Sequence, residues 1–139
     1  ILLEKETRES FDLIFADAFS SDAVPTHLIT REAIQLYMQK IKPGGLLTFT
    51  VSNRHLHLPE LLASTAKDIG LAFRLCAPTF NSAEEKKGDL HGVWIALAKS
   101  EEDFKAWLHE DTRWNRSTNL KKVAPWTDKH SSLSSIIKW

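Results

Sequence analysis

Phe11-Asp12-Leu13-Ile14-Phe15-Ala16-Asp17-Ala18-Phe19-Ser20-Ser21-Asp22-Ala23-Val24-Pro25 is the stretch whose reading decides the fold. Its first six residues form a short apolar run broken only by Asp12, the pattern of a strand covered on both faces. The remainder holds four acidic or hydroxyl residues, Asp17, Ser20, Ser21 and Asp22, and ends on proline, a composition that turns the chain. A buried strand that runs straight into a polar loop is how a parallel α/β sheet hands the chain to its next helix. Similar apolar runs recur at residues 46–51 and 93–98, whereas 72–77 is interrupted by Arg74 and is expected near a sheet edge.

Helical patterns lie between these runs. Thr30 is placed to cap a helix reaching Ile41, with Ile34, Tyr37, Met38 and Ile41 on one face, and Pro43-Gly44-Gly45 is expected to stop it. A second helix starts around Pro59, a good first-turn residue, and carries Leu61, Leu62, Thr65, Ala66 and Ile69 inward up to Gly70. Ser100-Glu101-Glu102-Asp103 resembles a capping box with Asp in the acceptor place, and predicts a third helix with Phe104, Trp107 and Leu108 inward. Strands alternating with helices imply right-handed crossovers and an α/β fold with a mostly parallel sheet. Residues 79–91 are too few for another crossover helix and fit a long hairpin, so the last strand is expected to run antiparallel. Residues 111–139 show no clear period, but Trp114, Trp126 and Trp139 predict a tail that packs down. Residues 1–6 read as the back half of a helix.

Composition narrows the function. Eighteen basic residues balance eighteen acidic ones among 139, which argues against a polybasic nucleic-acid binder. The five tryptophans are not interleaved with basic residues as a stacking platform. A single cysteine excludes a disulfide scaffold and any multi-cysteine metal site. No apolar run approaches the ~18 residues of a membrane span.

Ligands of open parallel sheets bind beyond the carboxyl ends of the strands. Asp17 stands at such an end, behind four apolar residues, where a carboxylate can serve as a proton acceptor. Asp22 and the two serines are close enough in sequence to share a pocket with it. The same residues would equally well brace the loop before the next helix. His55 and His57, at the next strand end, are two apart and could face one way, but no further metal ligands are evident, so they read as loop histidines. Cys76 reads as a small core residue.

The order of elements together with Phe11–Pro25, then Lys42-Pro43-Gly44-Gly45, Ser52-Asn53-Arg54 and Trp126-Thr127-Asp128, resembles the polyamine aminopropyltransferases, the spermidine synthase family. The nearer likeness is to the spermidine-synthase-like proteins often fused to membrane segments. The resemblance implies a partial Rossmann-like, S-adenosylmethionine-dependent methyltransferase-type three-layer sandwich. Residues 1–110 would be the C-terminal half of that domain and 111–139 its packed tail. It implies transfer of an aminopropyl group from decarboxylated S-adenosylmethionine to a polyamine, with no metal and no nucleic acid. Asp17 corresponds to the general base, with Asp17, Ala18 and Pro25 bordering the cofactor and Ser20, Asp22, Arg54 and Phe80 the acceptor. The family's two loop aspartates are three apart; here Asp17 and Asp22 are five apart and Ser20 holds the strict spacing. Phe80 stands where the family has Tyr, and Arg54 where it has Gln. Arg beside a dication is unfavourable, and it would suit an anionic acceptor of a methyltransferase using intact S-adenosylmethionine. A non-catalytic domain of a membrane-linked protein is the third reading. The implied location is the cytoplasm or the cytoplasmic face of such a protein. The family's Gly-rich cofactor loop has no counterpart, because none of the five glycines forms G-x-G-x-x-G, so these residues alone are expected to be inactive. The strand that would flank Phe11–Ala16 in that family is likewise missing, so that run is expected to be a bare edge and the chain a homo-oligomer.

Overall fold

The computed structural model describes Lys5 and residues 7–17, 25–52, 55–76, 92–109, 111, 113–115 and 119–138. In chain order the elements are β1 (Phe11–Ala16), α1 (Arg31–Lys40), β2 (Ile41–Thr50), α2 (Leu58–Asp68), β3 (Ala72–Cys76), β4 (Trp94–Ala98), α3 (Glu101–Leu108) and β5 (Trp114–Asn115). Short 3-10 turns occupy Thr26–Leu28 and Leu133–Ile136. The sheet order is β1-β2-β4-β3-β5. β1 and β2 pair in parallel, and β4 inserts antiparallel between β2 and β3. β1, β2 and β3 therefore point the same way, and the antiparallel last strand of the hairpin is where the short 79–91 excursion required it.

Alternation along the strands divides the molecule into three layers. Leu47, Phe49, Phe73, Leu75, Ile95 and Leu97 point to one face, where they meet Ile34 and Met38 of α1 and Leu61, Leu62 and Ala66 of α2. Leu46, Ala96 and Ala98 point to the other, where Phe104 of α3 covers them. Arg74 interrupts β3 without disrupting it. Its guanidinium lies 4.9 Å from the Phe104 ring centroid and pairs with Glu101, so the charge is carried along the apolar layer to the rim. Among the described residues no helix is long and apolar enough to cross a membrane.

Helix ends follow local chemistry. Thr30 Oγ1 accepts from the Ala33 amide, the Ser100 amide donates to Asp103 Oδ2 at 3.0 Å, and Pro59 sits in the first turn of α2. α2 closes with Leu71 N donating to Ala66 O and Gly70 N to Lys67 O, which places residue 70 at φ +74° and accounts for glycine there.

Pro43-Gly44-Gly45 does not stop α1; the three residues lie inside β2, which starts at Ile41 and not at residue 46. The last carbonyls of α1 are taken from outside, by the Glu9 amide on Gln39 O and the Ser10 amide on Lys40 O, so the helix ends without a turn. The pairing then jumps from Phe11–Ile41 to Leu13–Leu46, leaving residues 42–45 as a bulge on the β2 side. Three other expectations are corrected. β1 is not covered on both faces: its Leu13 and Phe15 are exposed, because α3 does not extend over that edge. Trp107 is 40 % exposed on the rim, where its indole N–H donates to Gly44 O at 2.6 Å, because the bulge offers a free carbonyl there. Cys76 is half-buried and not in the core, because it is the last residue of β3, paired only to short β5 on its outer side. β5 itself had no sequence signal. The tail does pack down: Val123, Trp126 and Ile136 are buried against α1 and α2, and Trp139 lies outside the described residues.

Candidate functional site

Asp17 immediately follows the carboxyl end of β1 and is exposed. The last residues paired between β1 and β2 are Ala16 and Phe49, so Asp17 leaves β1 beside Thr50, which is still paired to Trp94 of β4, on strands ~4.8 Å apart. Ile14 and Ala16 are held against the core beneath, which makes the strand a firm base for the carboxylate. Among the described residues no hydrogen bond or ion pair engages Asp17. β1 lies at the edge of the sheet, so no described strand walls the far side of Asp17. Cavities of about 510, 410 and 260 Å³ lie elsewhere, lined by residues such as Gln35, Lys121 and Gly70.

Of the other residues singled out, Pro25 opens the turn that leads into α1, its carbonyl accepting from the Leu28 amide at 2.9 Å. Ala18, Ser20, Asp22, Arg54 and Phe80 lie outside the described residues. They belong to segments 18–24, 53–54 and 77–91, which leave the carboxyl ends of β1, β2 and β3 respectively. β1, β2 and β3 point the same way and end at Ala16, Thr50 and Cys76, at one end of the sheet.

The carboxyl end of β2 and the start of α2 add Thr50 and Glu60, which the sequence had not marked, and give partners to Ser52 and His57. Thr50 is buried and its hydroxyl has no hydrogen-bond partner among the described residues. Ser52 Oγ accepts from the Val93 amide at 2.7 Å and ties the end of β2 to the start of β4. His57, just before α2, places Nδ1 2.8 Å from Glu60 Oε1, and the second oxygen of Glu60 is buried without a partner among the described residues. The spacing of three on a helix start was the available signal for that pair. A carboxylate on Nδ1 fixes the ring's orientation, as it does for histidines that handle protons. Among the described residues no three His, Cys, Asp or Glu side chains are grouped to hold a metal ion.

No protein-family model matches the chain, and no curated protein matches it. Among solved structures it is similar to a probable spermidine synthase from Corynebacterium glutamicum ATCC 13032, with a TM-score of 0.51 and 15% identity. The match covers 94% of this chain and 53% of that one, so the chain spans about half the length of its structural neighbour. At that identity the likeness establishes architecture: the chain has a partial Rossmann-like fold of the methyltransferase type, shaped like part of a spermidine synthase.

Proposed function

We propose that these residues form the acceptor side of an aminopropyl-transfer site, with Asp17 as the proton acceptor. The observation that carries this reading is the position of Asp17: an exposed acidic residue at the carboxyl end of β1, in a fold shared with a probable spermidine synthase. When bound, decarboxylated S-adenosylmethionine would supply a carbon activated by its positive sulfur. The chain's own task is to deliver a neutral amine. An ammonium has no lone pair, so the carboxylate would hold the amine and take its proton before the nitrogen can bond to that carbon. Ser20, Asp22, Arg54 and Phe80 would border the acceptor, and Ala18 and Pro25 the cofactor. Asp17 at the end of β1 is what suits the reacting end of such a co-substrate; a Gly-rich cradle for its nucleoside is not among these 139 residues.

The test is amine aminopropylation by the full-length protein, with Asp17→Asn beside it. Turnover should fall by about 10²–10⁴-fold, the usual worth of a positioned acid or base, while cofactor affinity stays nearly unchanged. Undiminished turnover in Asp17→Asn would remove Asp17 from the mechanism. Methyl transfer from intact S-adenosylmethionine, in place of aminopropyl transfer, would move the site to the methyltransferases.

A further inference from the structure

The segment from Trp126 to Lys138 crosses from one exit of the sheet to the other. At its start, Trp126 O accepts from the Arg31 amide at 2.7 Å, Asp128 Oδ1 accepts from Thr30 Oγ1 at 2.7 Å, and the Asp128 amide donates to Glu32 Oε2 at 3.0 Å. Thr30 is buried and its hydroxyl is used twice, since it also accepts from the Ala33 amide. Two orphan amides of the first turn of α1 are thus satisfied, one by Thr30 and one by a carbonyl almost a hundred residues away. At its far end, Ile136 O accepts from the His57 amide at 2.7 Å, and the Lys138 amide donates to His55 O at 2.7 Å, with Leu56 and Ile137 bridged antiparallel. Between the two ends the segment is stiffened. Thr127 and His130 exchange backbone hydrogen bonds, the Trp126 indole N–H donates to Ser135 Oγ, and the Trp126 and Ile136 side chains are both buried.

We infer that Asp128 is a positioning residue: through Thr30 and Glu32 it sets where α1 begins, and through the rigid tail it ties that point to the start of α2. The chain that leaves Asp17 must reach Thr30, and the chain that leaves Thr50 must reach His57. The tail therefore fixes the separation of the starts of α1 and α2, to which those two stretches of chain lead. The inference rests on the reading of those ends as the functional site, but its geometry is measurable without any ligand.

Amide hydrogen exchange and ¹H–¹⁵N NMR on the unliganded protein test it. Asp128→Ala should speed exchange about five- to tenfold at Arg31, Ala33 and also at His57 and Lys138, and shift the Asp17 amide resonance, while the β2–β4 ladder amides keep their rates. Asp128→Asn retains the acceptor for Thr30 and should restore the original pattern; Thr30→Val should reproduce the Ala pattern from the other side of the bond. Changes confined to residues 127–130, equal acceleration throughout the ladder, or failure of Asn to restore the pattern would each overturn the inference. None of these outcomes depends on aminopropyl transfer, so the two readings fail separately.

Discussion

Arg113 holds the Asp111 carboxylate at both oxygens, with Nε and Nη2 donating and the Arg113 amide adding a third bond to Oδ1. Those side-chain hydrogen bonds, foremost, pull its pKa down from 3.8 to about 2. A carboxyl depressed on folding stabilises the fold above its ordinary value, and that contribution fades as pH falls from about 3.8 to about 2. Nearby Cys76 is shifted the other way. Burial raises its thiol first of all, the Arg113 charge lowers it, and the Asp111 charge raises it. Arg113→Ala should therefore return Asp111 toward 3.8, read by carboxyl NMR, and slow alkylation of Cys76 near pH 8. Asp111→Ala should speed that alkylation. Equal alkylation rates in both variants would show that the pair does not reach the thiol.

The clearest difference between the sequence reading and the elements is the join of α1 to β2. A Pro-Gly-Gly triplet after a helix reads as a stop, yet here the stop is made by amides of Glu9 and Ser10, residues placed by β1. The glycines serve the strand pairing instead. A Cβ on Gly45 would lie 2.6 Å from Asp12 O and 2.7 Å from Ile41 Cγ2, and the first of these is backbone that has no rotamer to yield. Gly45→Ala should destabilise the protein by about 1–3 kcal/mol in chemical denaturation, as overpacking against backbone does. An unchanged midpoint would mean that the bulge can widen. By contrast, α1, α2 and α3 were legible nearly to the residue, because their caps and apolar spacing are properties of consecutive residues. Trp107 and Cys76 were misplaced because spacing marks a face and not how far the neighbouring layer extends over it.

At the scale of the molecule the two faces of the sheet are unequally covered. α1, α2 and the tail cover one face, while α3 on the other leaves Leu13 45 % and Phe15 48 % exposed on β1, Phe15 stacked at 5.2 Å on Trp94. Among the described residues β1 has a hydrogen-bonded neighbour on one side only, and its run from Leu13 to Ala16 has no proline or charge to discourage pairing. We expect self-association at micromolar concentration through this edge and face, seen by light scattering. Phe15→Lys should shift the population toward monomer. A monomer insensitive to that change would show that the edge is protected by another part of the chain.

The sequence by itself determined the order and type of the main elements, the antiparallel turn-back after residue 91 and the place of Asp17 at a strand end. All of these follow from side-chain period, caps and turn chemistry over a few consecutive residues. Only the tertiary structure decided that residues 42–45 bulge from β2 and that β5 exists. It also decided that Thr50 and Glu60 stand near the strand ends with buried oxygens, and that Asp128 meets Thr30. Each of those depends on groups far apart in the chain whose hydrogen bonds are chosen by packing, and a local pattern holds no record of such a partner.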